Sequence, residues 1–217
     1  MELIPVAVEQ FSEKYTTPES ELLYKLHRET YLKVEQPHML SGHVQGQLLS
    51  MISHMIRPMR VLELGTYTGY SAICLAQGLQ PGGILHTVDV NEELETLCRK
   101  YWEATGNADR IRLHIGKAAA VIDSLDEVFD LVFIDADKAG YEHYYDQVWD
   151  KLRPGGFILA DNVLYHGQVL LPENERGSQA KAMVRFCEKV LADDRAEQVL
   201  LTIRDGVLLI RKKKASQ

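Results

Sequence analysis

The chain has 217 residues, with 24 Lys+Arg against 31 Asp+Glu, giving a formal charge of −7 with neutral histidines. Its 46% hydrophobic and 25% charged content is that of a globular protein and excludes a disordered or fibrous one. The acidic balance disfavours a general polyanion binder, and three cysteines without C-x-x-C spacing (Cys74, Cys98, Cys187) exclude a disulfide scaffold or zinc knuckle.

Thr17-Pro18-Glu19-Ser20 reads as an N-cap with proline at the first helical position, opening a helix through about Val34. Ser41–Arg57 carries Val44, Leu48, Met51, Ile52 and Met55 at helical spacing, which predicts an amphipathic helix. From Arg60 the pattern alternates. Strands are predicted at Arg60–Leu64, Ile84–Asp89, Ile111–Ile115, Phe129–Asp135 and Phe157–Ala160. Helices are predicted between them at Tyr70–Gly78, Asn91–Thr105, Lys117–Leu125 and Gly140–Leu152. Such alternation implies βαβ units and a parallel sheet. A last helix, Ser178–Leu191, precedes runs at Gln198–Ile203 and Val207–Arg211, joined by Asp205-Gly206. That junction is a hairpin signal, so the sheet is expected to end in an antiparallel pair. The predicted fold is a doubly wound α/β sheet with added N-terminal helices. It forms a single domain, 1–217, divided into a helical cap (1–57) and a core (58–217). Tyr144-Tyr145 and Val148-Trp149 read as core or dimer contact, and Arg211–Lys214 as a solvated tail. No secretory signal is evident and no apolar run approaches the roughly 20 residues that span a bilayer, so the expectation is a cytoplasmic protein without a membrane partner.

Gly65 and Gly69 lie between the first strand and its helix, where glycine permits unusual backbone angles and close ligand approach. The spacing is G-x-x-x-G; it is neither a dinucleotide fingerprint nor a P-loop, and alone it fits a tight turn in any α/β protein. Glu63 lies near the end of strand 1, and Asp89 ends strand 2, 24 residues after Gly65. An acid at the end of strand 2 is placed to accept the hydroxyls of an adenosine ribose, or else to cap the helix at Asn91. At the other strands, Asp135 and Asp161-Asn162 end two consecutive apolar runs. Parallel neighbours about 4.8 Å apart would bring both carboxylates to one cation, and two carboxylates with an amide oxygen suit magnesium or manganese rather than zinc.

The segments VLELGTYTGYS, TVDVNEE, FDLVFIDADKAGY and LRPGGFILADNVLYHG, in this order, resemble the cation-dependent catechol and caffeoyl-CoA type O-methyltransferases. The resemblance runs from about Gln36 to the C-terminus and implies a seven-stranded Rossmann-like fold, S-adenosyl-L-methionine as donor, and a divalent cation (Mg2+, or Mn2+ or Ca2+) held by Asp135, Asp161 and Asn162. It places Met39, Ser41, Glu63, Gly65, Tyr67, Ser71, Asp89, Ala118 and Asp135 around the donor, and His38, Tyr141, Tyr165 and His166 around the acceptor. His38 and His166 read equally well as exposed loop histidines. Lys138, three residues after Asp135, is implied to lie beside the acceptor hydroxyl. It would act as a general base there, or stay cationic and stabilise a phenolate, since a neutral lysine must fall far below its reference pKa of about 10.4.

The function expected is methyl transfer to a hydroxyl of a catechol-like small molecule by a homodimer. Two alternatives are a hydroxylated tRNA base as acceptor and a non-catalytic adenosine-ligand sensor. An NAD-dependent oxidoreductase is disfavoured by the glycine spacing.

Overall fold

The structure, a computed structural model, describes residues 3–214. Strands β1 (Arg60–Leu64), β2 (Ile84–Asp89), β3 (Ile111–Ile115), β4 (Phe129–Ile134), β5 (Leu152–Asp161), β6 (Ala196–Leu201) and β7 (Val207–Lys212) form one sheet, in the order β3-β2-β1-β4-β5-β7-β6. The first five run parallel, while β7 is antiparallel to both β5 and β6. The helices are α1 (Val6–Tyr15), α2 (Glu21–Lys33), α3 (Gly42–Ile56), α4 (Tyr70–Ala76), α5 (Glu95–Ala104), α6 (Ala118–Ser124), α7 (Tyr141–Lys151) and α8 (Ser178–Leu191).

Because strand side chains alternate, each face of the sheet buries its own apolar set. Val61 joins Leu26, Leu49, Ile73 and Trp102 from α2–α5 on one side. Leu62 and Leu64 join Ile122, Tyr145, Val148 and Phe186 from α6–α8 on the other. The parallel strands all end on one edge, where Leu64 pairs with Ile134 and Ile134 with Ala160. Antiparallel β7 begins at that same edge, with Val207 opposite Asp161. The loop before β7 is thereby delivered to the ends of β1, β4 and β5.

Several expectations are corrected. Helix α1 has no counterpart in the sequence prediction, and none of its described residues is buried. Helix α2 starts at Glu21, capped by Ser20 Oγ, which accepts from Leu23 N at 3.2 Å. Thr17 does not cap it; its carbonyl accepts from His43 Nε2 at 2.6 Å. Helix α3 buries Gln45, Gly46, Leu49, Ser50, Ile52 and Ser53, while Met51 and Met55, both assigned to its apolar stripe, are exposed. Close packing on α4 is the reason. A Cβ at Gly46 would stand 2.5 Å from the Tyr70 ring, and Ser53 Oγ donates to Leu75 O at 2.6 Å, so small residues win the contact. The link between β6 and β7 spans 202–206 rather than a two-residue turn. Lys212, expected in a solvated tail, belongs to β7 and donates to Trp149 O and Leu152 O at 2.6 and 2.9 Å. Among the described residues, no helix is long and apolar enough to cross a membrane.

Candidate active site

The carboxyl edge of the parallel strands opens into a cavity of about 1490 Å³. Its walls include His38, Met39, Ser41, Gly65, Tyr67, Ser71, Asp89, Ala118, Asp135, Lys138, Asp161, Asn162, Tyr165 and His166, so the structure gathers most of the sequence-predicted site residues around one space. Two do not reach it. Glu63 and Tyr141 are both fully buried and lie behind the wall, one under the sheet's first face and one under the start of α7.

Backbone geometry builds the wall after β1. Gly65 has φ +102°, and a Cβ there would lie 2.0 Å from the carbonyl oxygen of Asp135, so only glycine lets the loop close on the end of β4. Asp89 ties this loop down from the neighbouring strand. Its Oδ2 accepts from Thr66 N at 3.0 Å and Tyr67 N at 2.7 Å, while Oδ1 accepts from Asn91 N at 2.9 Å. The aspartate thus lines the cavity and orders the glycine loop at once. Tyr67, itself at φ +49°, sends its hydroxyl across to Glu35 O at 2.9 Å and Gln36 O at 3.3 Å. Beneath, Glu63 Oε2 accepts from Thr87 Oγ1 at 2.5 Å, and burial outweighs the Ser71 and Thr87 hydroxyls to push this carboxyl up to about 8. Ala118 is the first residue of α6, and Lys117 precedes it at the cavity wall.

The acidic edge lies opposite. Asp161 is 2% exposed; its Oδ2 accepts from Gln45 Nε2 at 2.6 Å and its Oδ1 from Asn162 N at 2.8 Å. Burial, with the Asp135 charge adding to it, raises the Asp161 carboxyl well above the carboxylate range. Lys138 donates to Asp135 Oδ1 at 3.1 Å, Asn162 Oδ1 at 2.8 Å and Tyr141 Oη at 2.7 Å. Tyr141 Oη in turn faces the carbonyls of Asp161 and Ile134, at 3.0 and 3.1 Å, and donates its single proton there. Three acceptors therefore surround Nζ, the shell that an ammonium with three N–H groups satisfies.

Among the described residues there is no group of three or more His, Cys, Asp or Glu side chains suited to a metal. The candidate centre is accordingly the two-carboxylate and one-amide set of Asp135, Asp161 and Asn162, an all-oxygen arrangement that fits a hard dication. Two of its three residues, Asp135 and Asn162, each already turn one oxygen to a single positive charge, that of Lys138.

Next to the acidic edge, where Tyr165 N donates to Asn162 O at 3.0 Å, Tyr165 and His166 adopt positive φ values of 45° and 54°, and His166 N donates to Asp205 Oδ1 at 2.6 Å. The His166 side chain is 72% exposed, and His38 is also exposed, with its carbonyl accepting from Arg204 Nη2 at 3.3 Å. Gln45, Arg204, Asp205 and Tyr144, whose hydroxyl bonds Asp137, are site residues that sequence reasoning missed. An amide among apolar helix positions was the only sequence signal for Gln45. The remaining contacts join segments too distant in sequence for periodicity to link them.

The strand order, the glycine loop after β1 and the acid ending β2 define a Rossmann-like methyltransferase of the class that uses S-adenosylmethionine. The sequence matches the O-methyltransferase family over residues 12–213. It is 32% identical over 184 residues to a protein named probable caffeoyl-CoA O-methyltransferase 2 from Dictyostelium discoideum, covering 82% of this chain and 80% of that one. The solved structure of the Podospora anserina methyltransferase PaMTH1, bound to S-adenosylhomocysteine, superposes with a TM-score of 0.87 at 27% identity, over 96% of this chain and 95% of that one. TomG from Streptomyces achromogenes, an O-methyltransferase of tomaymycin synthesis solved with S-adenosylmethionine, gives 0.85 at 26% identity, over 95% and 96%. The chain belongs to the O-methyltransferase family, of the caffeoyl-CoA type.

Proposed function

We propose that this methyltransferase acts on one hydroxyl of a catechol-like small molecule and needs a divalent cation, with Asp135, Asp161 and Asn162 as its ligands. The observation carrying this reading is the acidic edge itself: two carboxylates and an amide oxygen, one carboxylate buried, at the cavity wall beside Lys138. Gly65, Tyr67, Ser71, Asp89 and Ala118, with Met39 and Ser41 from the facing segment, form the donor side.

S-adenosylmethionine supplies an electrophilic sulfonium methyl. A dication held by Asp135, Asp161 and Asn162 would acidify an acceptor hydroxyl, whose proton would leave to solvent. The protein's own groups do the rest. Lys138, spent on three acceptors, works as a fixed cation beside the developing phenolate and takes no proton. Tyr165 offers an aromatic wall to a planar ring. The half-buried cavity favours a reaction in which a phenolate and a sulfonium cancel, and alignment of the two reactants supplies much of the acceleration.

The acceptor's class is supported by where the cations are. Of the four lysines and arginines lining the cavity, Lys33 pairs with Glu29 at 2.9 Å, Lys138 serves the acidic edge and Arg204 bonds wall carbonyls, which leaves Lys117 beside α6. This favours a small ring over a phosphate-bearing thioester or a tRNA. The test is labelled-methyl transfer to catechols and to hypomodified tRNA, with and without magnesium. Transfer to the catechol that depends on magnesium is the expected result. Transfer to tRNA alone, or undiminished transfer in metal-free buffer, overturns the reading.

A further inference from the structure

Arg204 stands in the link between β6 and β7 with φ +49°, a left-handed conformation that favours glycine. Its guanidinium reaches across the cavity edge, donating through Nη1 to Leu40 O at 2.8 Å, to Ser41 O, and to Gln45 Oε1 at 3.2 Å, and through Nη2 to His38 O at 3.3 Å. Four acceptors are collected by one side chain whose backbone is itself strained, although the residue as a whole is exposed.

We propose that Arg204 is a positioning residue of this methyltransferase: it staples the segment 35–41 across the cavity and, through Gln45, sets the orientation of Asp161. The segment is held at two ends. Tyr67 Oη fixes its start through the carbonyls of Glu35 and Gln36, and Arg204 fixes its end through those of His38, Leu40 and Ser41. One anchor comes from the glycine loop and the other from the C-terminal hairpin, so the segment spans the cavity between independent parts of the fold. The link to Asp161 follows from donor and acceptor chemistry. A guanidinium only donates, so Gln45 must turn its oxygen to Arg204; its amide NH2 is then committed to Asp161 Oδ2, 2.6 Å away. Gln45 is fully buried and cannot draw on solvent to reorient. The neighbouring Asp205 performs the matching task on the other wall, accepting from His166 N at 2.6 Å and, through its carbonyl, from Leu164 N at 2.9 Å. A single short link therefore sets both sides of the cavity mouth.

The experiment compares Arg204→Gly and Arg204→Lys with the wild type in three readouts: thermal stability, S-adenosylhomocysteine affinity by calorimetry, and the kcat and KM of methyl transfer to a catechol. Glycine relieves the positive φ and so offsets part of the lost hydrogen bonding, and Arg204→Gly is expected to melt within a few degrees of the wild-type temperature. It should nonetheless bind S-adenosylhomocysteine about tenfold more weakly and lose about tenfold or more in kcat/KM, a divergence a merely structural residue would not produce. Arg204→Lys, with one nitrogen in place of a fork, should recover part of the affinity. In a Gln45→Met background, Arg204→Gly should cost little further kcat, because the path to Asp161 is already cut. Wild-type affinity and turnover in Arg204→Gly overturn the proposal. So does a fall in melting temperature that accounts for the lost binding. The proposal rests on the family's donor, not on the catechol reading: a wild type that binds S-adenosylhomocysteine but methylates no catechol counts against the latter alone.

Discussion

Glu63 and Thr87 face one another on adjacent parallel strands, and the threonine hydroxyl donates to the buried carboxyl at 2.5 Å. The pair lies beneath the glycine loop, where Thr66 Oγ1 also approaches Thr87 Oγ1 at 2.6 Å. Burial pushes Glu63 up to about 8, against an ordinary value of 4.5. Between these values the folded protein keeps a proton that the unfolded chain releases. This group's contribution to stability therefore falls as pH rises from about 4.5 through about 8. Glu63→Gln removes the titration, so its melting temperature should decline less than that of the wild type from pH 5 to pH 8.5. Parallel profiles by thermal melts would refute this.

The ammonium of Lys138 offsets part of the charge of Asp135 and binds the Asn162 oxygen. Lys138→Ala should lower kcat by about a hundredfold or more. Lys138→Arg keeps the positive charge but cannot serve as a base at neutral pH, and it should retain activity well above the alanine variant. Single-turnover methyl transfer measures both. An arginine variant as inactive as alanine would restore the proton-abstraction role.

Removal of divalent cations by EDTA is expected to abolish turnover, and excess magnesium or manganese to restore it. Asp161→Asn keeps the shape of the edge and deletes one charge, so the magnesium concentration for half-maximal rate should rise at least tenfold. Titration of initial rate against magnesium reads this out, and an unchanged requirement would remove Asp161 from the ligand set.

Gly65→Ala and Gly82→Ala share a positive φ but differ in surroundings. A Cβ at Gly65 meets the Asp135 carbonyl at 2.0 Å, whereas nothing lies within 4 Å of one at Gly82. Gly82→Ala should cost about 1–2 kcal/mol, the strain alone. Gly65→Ala should cost clearly more and also weaken S-adenosylhomocysteine binding, because the loop must move off β4. Urea unfolding and calorimetry distinguish the two, and equal costs would show that the loop yields freely.

The sheet was legible because its strands are apolar runs with an acid or a glycine at the end. Asp89, Asp135 and Asp161 could be assigned to one edge from that punctuation alone, and β1, β2 and β3 have the predicted bounds. Helix α3 was misread because apolar spacing favoured Met51 and Met55, while the packing partner required Gly46 and Ser53. Glu63 was legible as an acid near the site, yet it is fully buried beneath the glycine loop and does not itself line the cavity. Tyr141 was expected at the acceptor; the first turn of α7 points it inward, to anchor Lys138. Arg204 and Gln45 stand 159 residues apart, and no local pattern marks a contact that the last hairpin alone creates.

The reversed direction of β7 has a consequence for how such an enzyme can be altered. Since β7 starts where β5 ends, the link 202–206 hangs over the reaction edge while its two flanking strands stay locked in the sheet. Its ends are fixed by the strands, and its interior is tied to the cavity walls through Arg204 and Asp205. Substitution at 202 and 203, the positions ahead of those two anchors, would redraw the mouth of the cavity and leave strand register untouched.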